Sequence, residues 1–192
     1  MFINGTTLHS IMVTDIVFPN NDENEYIKLA ERLNIKKLVF CYDFSKIKTA
    51  KLPLKQAILV KTNDINKAKN LNLPLISNRN DRFIFDQKYT KKPMILYNLE
   101  NISAQDSLHS RHSGLNQILC KLAKKNNIIL GLSLSQILNE TPQKRAQIIG
   151  RLIQNIKLAR KYKVKIKLAS FATSPYQLRA PSDLQSFGIM LG

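Results

Sequence analysis

Three histidines, two cysteines and 13 acids are the groups through which this chain would hold a metal or move protons. Metal-dependent barrels commonly open with two histidines flanking one residue at the end of the first strand. Here that strand ends Thr14-Asp15-Ile16-Val17, with no histidine in it. Asp15 and Asp43 are expected at the carboxyl ends of neighbouring strands, where they would cap helices, pair with lysines or contribute to a metal site. His109 and His112 lie one helical turn apart in His109-Ser110-Arg111-His112-Ser113-Gly114, with only Asp106 nearby, a pattern that fits a solvated loop or an RNA contact better than a ligand set. His9 stands alone. Cys41 and Cys120 have no Cys-x-x-Cys spacing and read as buried reduced thiols. No Gly-x-Ser-x-Gly elbow, Walker loop or Gly-x-Gly-x-x-Gly fingerprint occurs. The residues therefore assign no catalytic group and no metal site.

Charge carries more information. Lys and Arg number 30 against 13 acids, a formal excess of +17 in 192 residues, which points to a polyanionic partner. On a helical wheel for residues 142–162, Ala146, Ile149, Leu152, Ile153, Ile156 and Ala159 share one face. Lys144, Gln147, Arg151, Gln154, Lys157 and Lys161 share the other. Solvent-facing helices ordinarily interleave both signs, since such pairs add about 0.2–0.5 kcal/mol each, so an acid-free face is expected to meet phosphate. Arg160 falls on the apolar side and needs a carbonyl or anion partner, or must snorkel to water. Lys163, Lys165 and Lys167 alternate with Val164 and Ile166, and with Lys124, Lys125 and Lys161 they are expected to form one cationic surface. Arg111, at a helix entry, is placed against phosphate. Aromatic residues are 7% of the chain and form no stacking platform, so backbone and shape contacts would dominate RNA binding, with a salt slope of about −0.7 per phosphate contact on single strands.

These groups need a scaffold. Strands are predicted at residues 11–18, 37–42, 57–60, 75–77, 83–85, 94–96, 128–132 and 165–169, and helices at 23–33, 65–71, 113–125 and 142–162. Thr141-Pro142 and Ser174-Pro175 read as an N-cap followed by a first-turn proline. Alternation of this kind gives an α/β fold with a mainly parallel sheet, and the strand number favours a single compact barrel over residues 1–192, closed or nearly so. No apolar run approaches the roughly 18 residues of a membrane span, and the first ten residues lack a basic signal-peptide region, so the chain is read as cytoplasmic with no membrane partner.

From Leu108 onward a resemblance is legible. The stretch from His109 through Ser113, Gly114, Leu115 and Asn116 to Ala123 is similar to the His-x-x-x-Ser-Gly-Leu-Asn helix entry of the archaeal ribonuclease P protein component 3 family, the thirty-kilodalton subunit class. Ser170, Ala172, Arg179, Pro181, Asp183 and Gly188 resemble its closing signature. The resemblance implies a TIM-barrel-like fold related to the polymerase and histidinol phosphatase superfamily, without its metal-binding histidines. It implies a ribonucleoprotein subunit in tRNA processing: an endonuclease that cleaves precursor tRNA to give mature 5′ ends, the hydrolysis being done by the RNA with magnesium. The chain alone is then non-catalytic and binds no cofactor of its own. Implied partners are the ribonuclease P RNA, precursor tRNA through the holoenzyme, and the small RRM-like protein component 2, as a heterotetramer. The family often has Arg-Pro where this chain has Ser135-Gln136, and an acid at His112. Candidate RNA-binding residues are Arg111, Lys144, Arg151, Lys157, Lys161, Lys163 and Arg179, with Arg179 equally suited to capping a carbonyl or pairing with Asp183. Two other readings remain at this point: a metal-dependent phosphoesterase of the same barrel superfamily using Asp15, Asp43 and the histidines, and a generic basic RNA-binding module.

Overall fold

The computed structural model describes residues 14–44, 55–68, 73–78, 81–89, 92–101, 106 and 111–192. Among these, seven parallel strands lie in sequence order: β1 (Asp15–Val17), β2 (Leu38–Asp43), β3 (Lys55–Leu59), β4 (Leu75–Ser77), β5 (Met94–Tyr97), β6 (Ile128–Ser133) and β7 (Lys165–Ala169). Parallel neighbours require crossover connections, and these carry α1 (Glu23–Arg32), α2 (Ile65–Ala68), α3 (Arg82–Asp86), α4 (Gln117–Lys125), α5 (Leu134–Leu138) and α6 (Pro142–Lys161), with α7 (Pro181–Leu191) after the last strand. The sheet curls until its two edges meet. Phe18 N–H donates to the Ala172 carbonyl at 2.8 Å, Val17 bridges Ala172, and Ser170 N–H donates to Asp15 Oδ1 at 2.7 Å. The result is the nearly closed α/β barrel that the alternating pattern predicts.

Strands covered on both faces read as continuous apolar runs, which is how Met94–Tyr97 and Ile128–Leu132 appear in the sequence. Alternate residues divide between two cores. Ile16, Cys41, Ala57, Ile76, Ile95, Tyr97, Ala169 and Phe171 fill the barrel, whereas Ile58, Leu75, Met94, Leu96, Leu130 and Leu168 meet the helices outside. Both cysteines are buried, and burial pushes the thiols up, Cys120 to about 11.

Four expectations are corrected. Residues 83–85 form part of the helix α3, with Ile84 and Phe85 buried and Phe83 exposed; a three-residue apolar run has no period by which to separate strand from helical turn. The third predicted helix starts at Gln117 and not Ser113, because Gly114 has φ 77° and Asn116 is an extended N-cap whose side chain accepts from Leu119 N–H at 2.9 Å. Thr141 and Ser174 precede helical prolines but make no side-chain cap, and Ser174 leads only into a short 3-10 turn. Helices α5 and α7 follow apolar, almost uncharged sequence that carries little amphipathic signal. The start of the first predicted strand, residues 11–13, and the end of the second predicted helix, 69–71, lie outside the described residues.

Helix α6 ends in a Schellman turn: Val164 N–H bonds the Ala159 carbonyl at 2.8 Å and Lys163 N–H the Arg160 carbonyl at 3.1 Å. Asn34 fills the corresponding left-handed position after α1 at φ 55°, but after α6 it is Lys163, at φ 56°. A left-handed L-residue costs about 1–2 kcal/mol and glycine returns about 0.5–1 kcal/mol of that as chain entropy, so Lys163→Gly is expected to raise stability by about 0.5–1 kcal/mol. A denaturant titration showing a lower midpoint would contradict this.

Candidate nucleic-acid interface

Helix α6 is the longest element, and its buried face is turned from the one read on the wheel. Ile148, Arg151, Leu152, Asn155, Ile156 and Ala159 are buried, Ile149 and Ile153 are half-buried, and Ala146 is exposed. Arg151 accounts for the difference. Only 2% exposed, its guanidinium donates to Asp106 Oδ1 from Nε at 2.9 Å and Nη2 at 2.8 Å, and to the Glu100 carbonyl from Nη1 at 2.9 Å. A guanidinium with such partners can leave water, and the expectation that Arg151 faces solvent on a cationic surface is overturned. Asp106 also accepts from His112 N–H at 2.9 Å. Desolvation would raise its carboxyl, but the Arg151 and His112 hydrogen bonds outweigh it and hold the group below the usual carboxylate range. Glu100 is fully buried beside this pair, with no hydrogen-bond partner for its side-chain oxygens among the other described residues, and desolvation pushes it up to about 7 against the pull of its own backbone amide and of Arg151.

The segment after β5 is clamped to α6 at further points. Arg111 lies across Gly150, where an added Cβ would stand 2.5 Å from its Nη1, and Nη1 donates to the Gly150 carbonyl at 2.8 Å. Asn155 Nδ2 donates to the Ser113 carbonyl at 2.8 Å, and Gln154 Nε2 to Ser113 Oγ and the Arg111 carbonyl, both at 3.2 Å. The residues by which the family resemblance was read are thus joints of the fold: Ser113 and Gly114 in the clamp, Asn116 as a cap, Ser170 as the barrel seam, Pro181 at the first turn of α7 with Asp183 behind it.

The remaining candidates divide. Lys144 is paired with Glu140 at 2.8 Å, and Arg179 Nη1 bonds the Tyr176 and Leu178 carbonyls at 2.9 and 2.7 Å, which is the carbonyl cap, one of the three roles open to it beside pairing with Asp183 and RNA contact. Arg160 donates to the Gly192 carbonyl. Lys157, Lys161 and Lys163 are exposed and enter no ion pair among the described residues; Lys161 lies over the Tyr162 ring at 5.9 Å. Lys167 leaves the expected cationic surface: it turns inward, donates to the Thr14 carbonyl at 3.0 Å, and desolvation lowers its pKa against the opposing charge of Asp15. His9, His109 and Ser110 lie outside the described residues.

The premise of an aspartate pair is also corrected. Asp15 opens β1 opposite Leu38, whereas Asp43 closes β2, so the two are separated by the length of β2, about 16 Å. Asp15 Oδ1 is taken by the Ile16 and Ser170 amides. At the carboxyl end of the barrel, where barrel enzymes keep their reacting groups, Phe18, Tyr97 and Phe171 stack instead, with Tyr97 and Phe171 centroids 4.6 Å apart and rings 2° from parallel. Sequence reasoning missed Glu100 and the role of Asp106; the signal available was that Asp106 is the one acid between Glu100 and Glu140, opposite a strongly basic helix.

Residues 102–192 match the family model described as RNase P subunit p30. The matched segment is just under half of the chain, and over it the sequence is similar to that family. Ribonuclease P protein component 3 of Methanosarcina mazei is 38% identical over 82 residues, 43% of this chain and 34% of the relative. That of Thermococcus kodakarensis is 37% identical over 79 residues, 41% of this chain and 36% of the relative. The aligned p30 segment thus spans about a third of these relatives' length. The fold comparison reaches further: a chain in a cryo-EM structure of archaeal Ribonuclease P with mature tRNA superposes at a TM-score of 0.67 over 93% of this chain and 82% of the other, at 21% identity. The strands ahead of the p30 segment therefore share that fold. Among the described residues no helix is long and apolar enough to cross a membrane.

Proposed function

We propose that the chain is a protein subunit of ribonuclease P, binding and supporting the catalytic RNA that cleaves precursor tRNA, and performing no bond breaking itself. The observation that carries this reading is the p30 match over residues 102–192, in a barrel whose carboxyl mouth is filled by stacked rings. The charge of +17 supports it, since the phosphate backbone of a folded RNA repels itself and exposed lysines such as Lys157, Lys161 and Lys163 would replace part of its counterion atmosphere. Magnesium then belongs to the RNA, and the chain holds no cofactor. The protein partner in this reading is component 2, joined in a heterotetramer, within the cytoplasm.

Reconstitution tests it. The protein alone is expected to leave precursor tRNA uncut, while its addition with component 2 to the ribonuclease P RNA lowers the magnesium concentration needed for cleavage. An unchanged magnesium requirement, or cleavage by the isolated protein, would end the proposal.

A further inference from the structure

Acids and bases sit at opposite ends of this barrel. In a parallel α/β barrel every strand begins at one end and the helices finish there, so residues just ahead of the strands share a rim however distant they are in sequence. On that rim stand Lys37 before β2, Lys55 opening β3, Lys92 before β5, Lys125 closing α4 ahead of β6, and Lys163 and Lys165 around the start of β7, all exposed. None of the six enters an ion pair among the described residues. Of the 13 acids, only Asp15, Glu31 and Asp86 belong to this end. Asp15 is buried in the seam and Asp86 faces Arg82 at 3.8 Å. Most of the other acids follow strand ends or occupy first helical turns, as Glu23, Glu25, Asp64 and Asp183 do, and Glu140 lies just ahead of α6.

Helix dipoles favour acids in first turns and bases in last turns, and so account for Lys125. They do not account for Lys37, Lys55, Lys92, Lys163 or Lys165, which lie outside helices. Lys163 is in addition kept in a left-handed conformation where Asn34 serves after α1. Several cations at the opposite rim are drawn into the fold, Lys144 by Glu140, Arg145 by the Ile137 and Glu140 carbonyls and Arg111 by the Gly150 carbonyl, while Lys61 after β3 is exposed there.

We infer that the RNA phosphate backbone lies against the amino-terminal rim of the barrel, formed by the lysines ahead of β2, β3, β5, β6 and β7, and that the acidic carboxyl-terminal rim faces away from it. The inference rests on the proposed ribonuclease P role. The separation of charge orients the protein before contact, because a phosphate array attracts one rim and repels the other. It also reverses the usual geometry of barrel enzymes, whose ligands approach the carboxyl ends of the strands.

The test compares two full-length variants of equal charge change, Lys55→Gln/Lys125→Gln/Lys165→Gln at the rim and Lys28→Gln/Lys61→Gln/Arg82→Gln away from it. Binding to the ribonuclease P RNA and to an unrelated RNA hairpin is measured across salt concentrations, with thermal melts to verify folding. The rim variant is expected to lose about 2 to 3 from the log–log salt slope, at about 0.7–0.9 per phosphate contact, while the second variant keeps the wild-type slope. Equal losses in both variants would overturn the rim and leave the subunit reading intact. A rim variant that keeps its RNA slope while losing binding to polyglutamate would likewise overturn it, in favour of an acidic protein partner. Failure of the wild-type protein to bind the ribonuclease P RNA would overturn the subunit reading itself.

Discussion

Arg151→Ala is expected to lower the unfolding free energy by about 3–5 kcal/mol, the usual consequence of breaking a buried ion pair from one side. The substitution leaves Asp106 without its guanidinium, strands the Glu100 carbonyl, and removes the nearest cation from a fully buried carboxyl. For a chain of this size the melting temperature would fall on the order of 10 °C. An arginine on a solvated RNA-facing surface would behave in the opposite way, leaving stability unchanged and reducing the salt slope of RNA binding.

The sign of the pH dependence separates this pair from other causes of instability. Asp106 has its carboxyl lowered in the folded state by Arg151, so the stability it confers is present above the ordinary carboxylate pKa near 3.8 and is lost as pH falls through the depressed value. Glu100 is raised to about 7, so folding favours its neutral form, and stability on its account is full below 4.5 and declines as pH rises toward 7. Without Arg151 the folded-state pKa of Glu100 rises further. Both effects make the deficit of Arg151→Ala grow with pH, and denaturation at pH 4 and pH 8 should show the smaller loss at pH 4. A deficit independent of pH would place the cause in lost packing alone.

Period is what the sequence exposes and pairing is what it hides. The strands at Leu75–Ser77 and Lys165–Ala169 were read with their observed bounds because buried parallel strands are runs of apolar and β-branched residues between clear turn signals. The wheel for α6 erred at Arg151 because periodicity assigns a charged residue to water, and only the long-range partner Asp106, 45 positions earlier, makes its burial affordable. Asp15 was misplaced for a related reason. Its strand was legible, but the register that sets it opposite Leu38 at the amino end is a property of two segments together. The cationic rim was half visible, as the lysines at 161–165; Lys37, Lys55 and Lys92 join them only when the barrel brings strand starts onto one end.

Phe171→Ala is expected to cost about 3–5 kcal/mol, through loss of a ring that is 1% exposed and stacked on Tyr97 within the barrel. Alanine keeps the positive φ of 48° at that position, so the loss reads the ring and not the backbone. The same ring explains a glycine. A Cβ on Gly131 would meet Phe171 Cζ at 2.8 Å, Tyr97 Cβ at 3.0 Å and Ile95 Cγ2 at 3.1 Å, so Gly131→Ala overpacks the barrel by itself, at about 1–3 kcal/mol. With Phe171 already truncated the closest clash is gone, and the added methyl enters the vacated space. The double variant should therefore be more stable than the sum of the two losses, by at least about 0.5 kcal/mol in a thermodynamic cycle. Strict additivity would mean that the ring does not press on Gly131, and the account of the barrel mouth as a packed plug would fail with it. If coupling is found, the carboxyl end of the sheet is occupied by structure, and the surface left for a nucleic acid is the outside of the barrel.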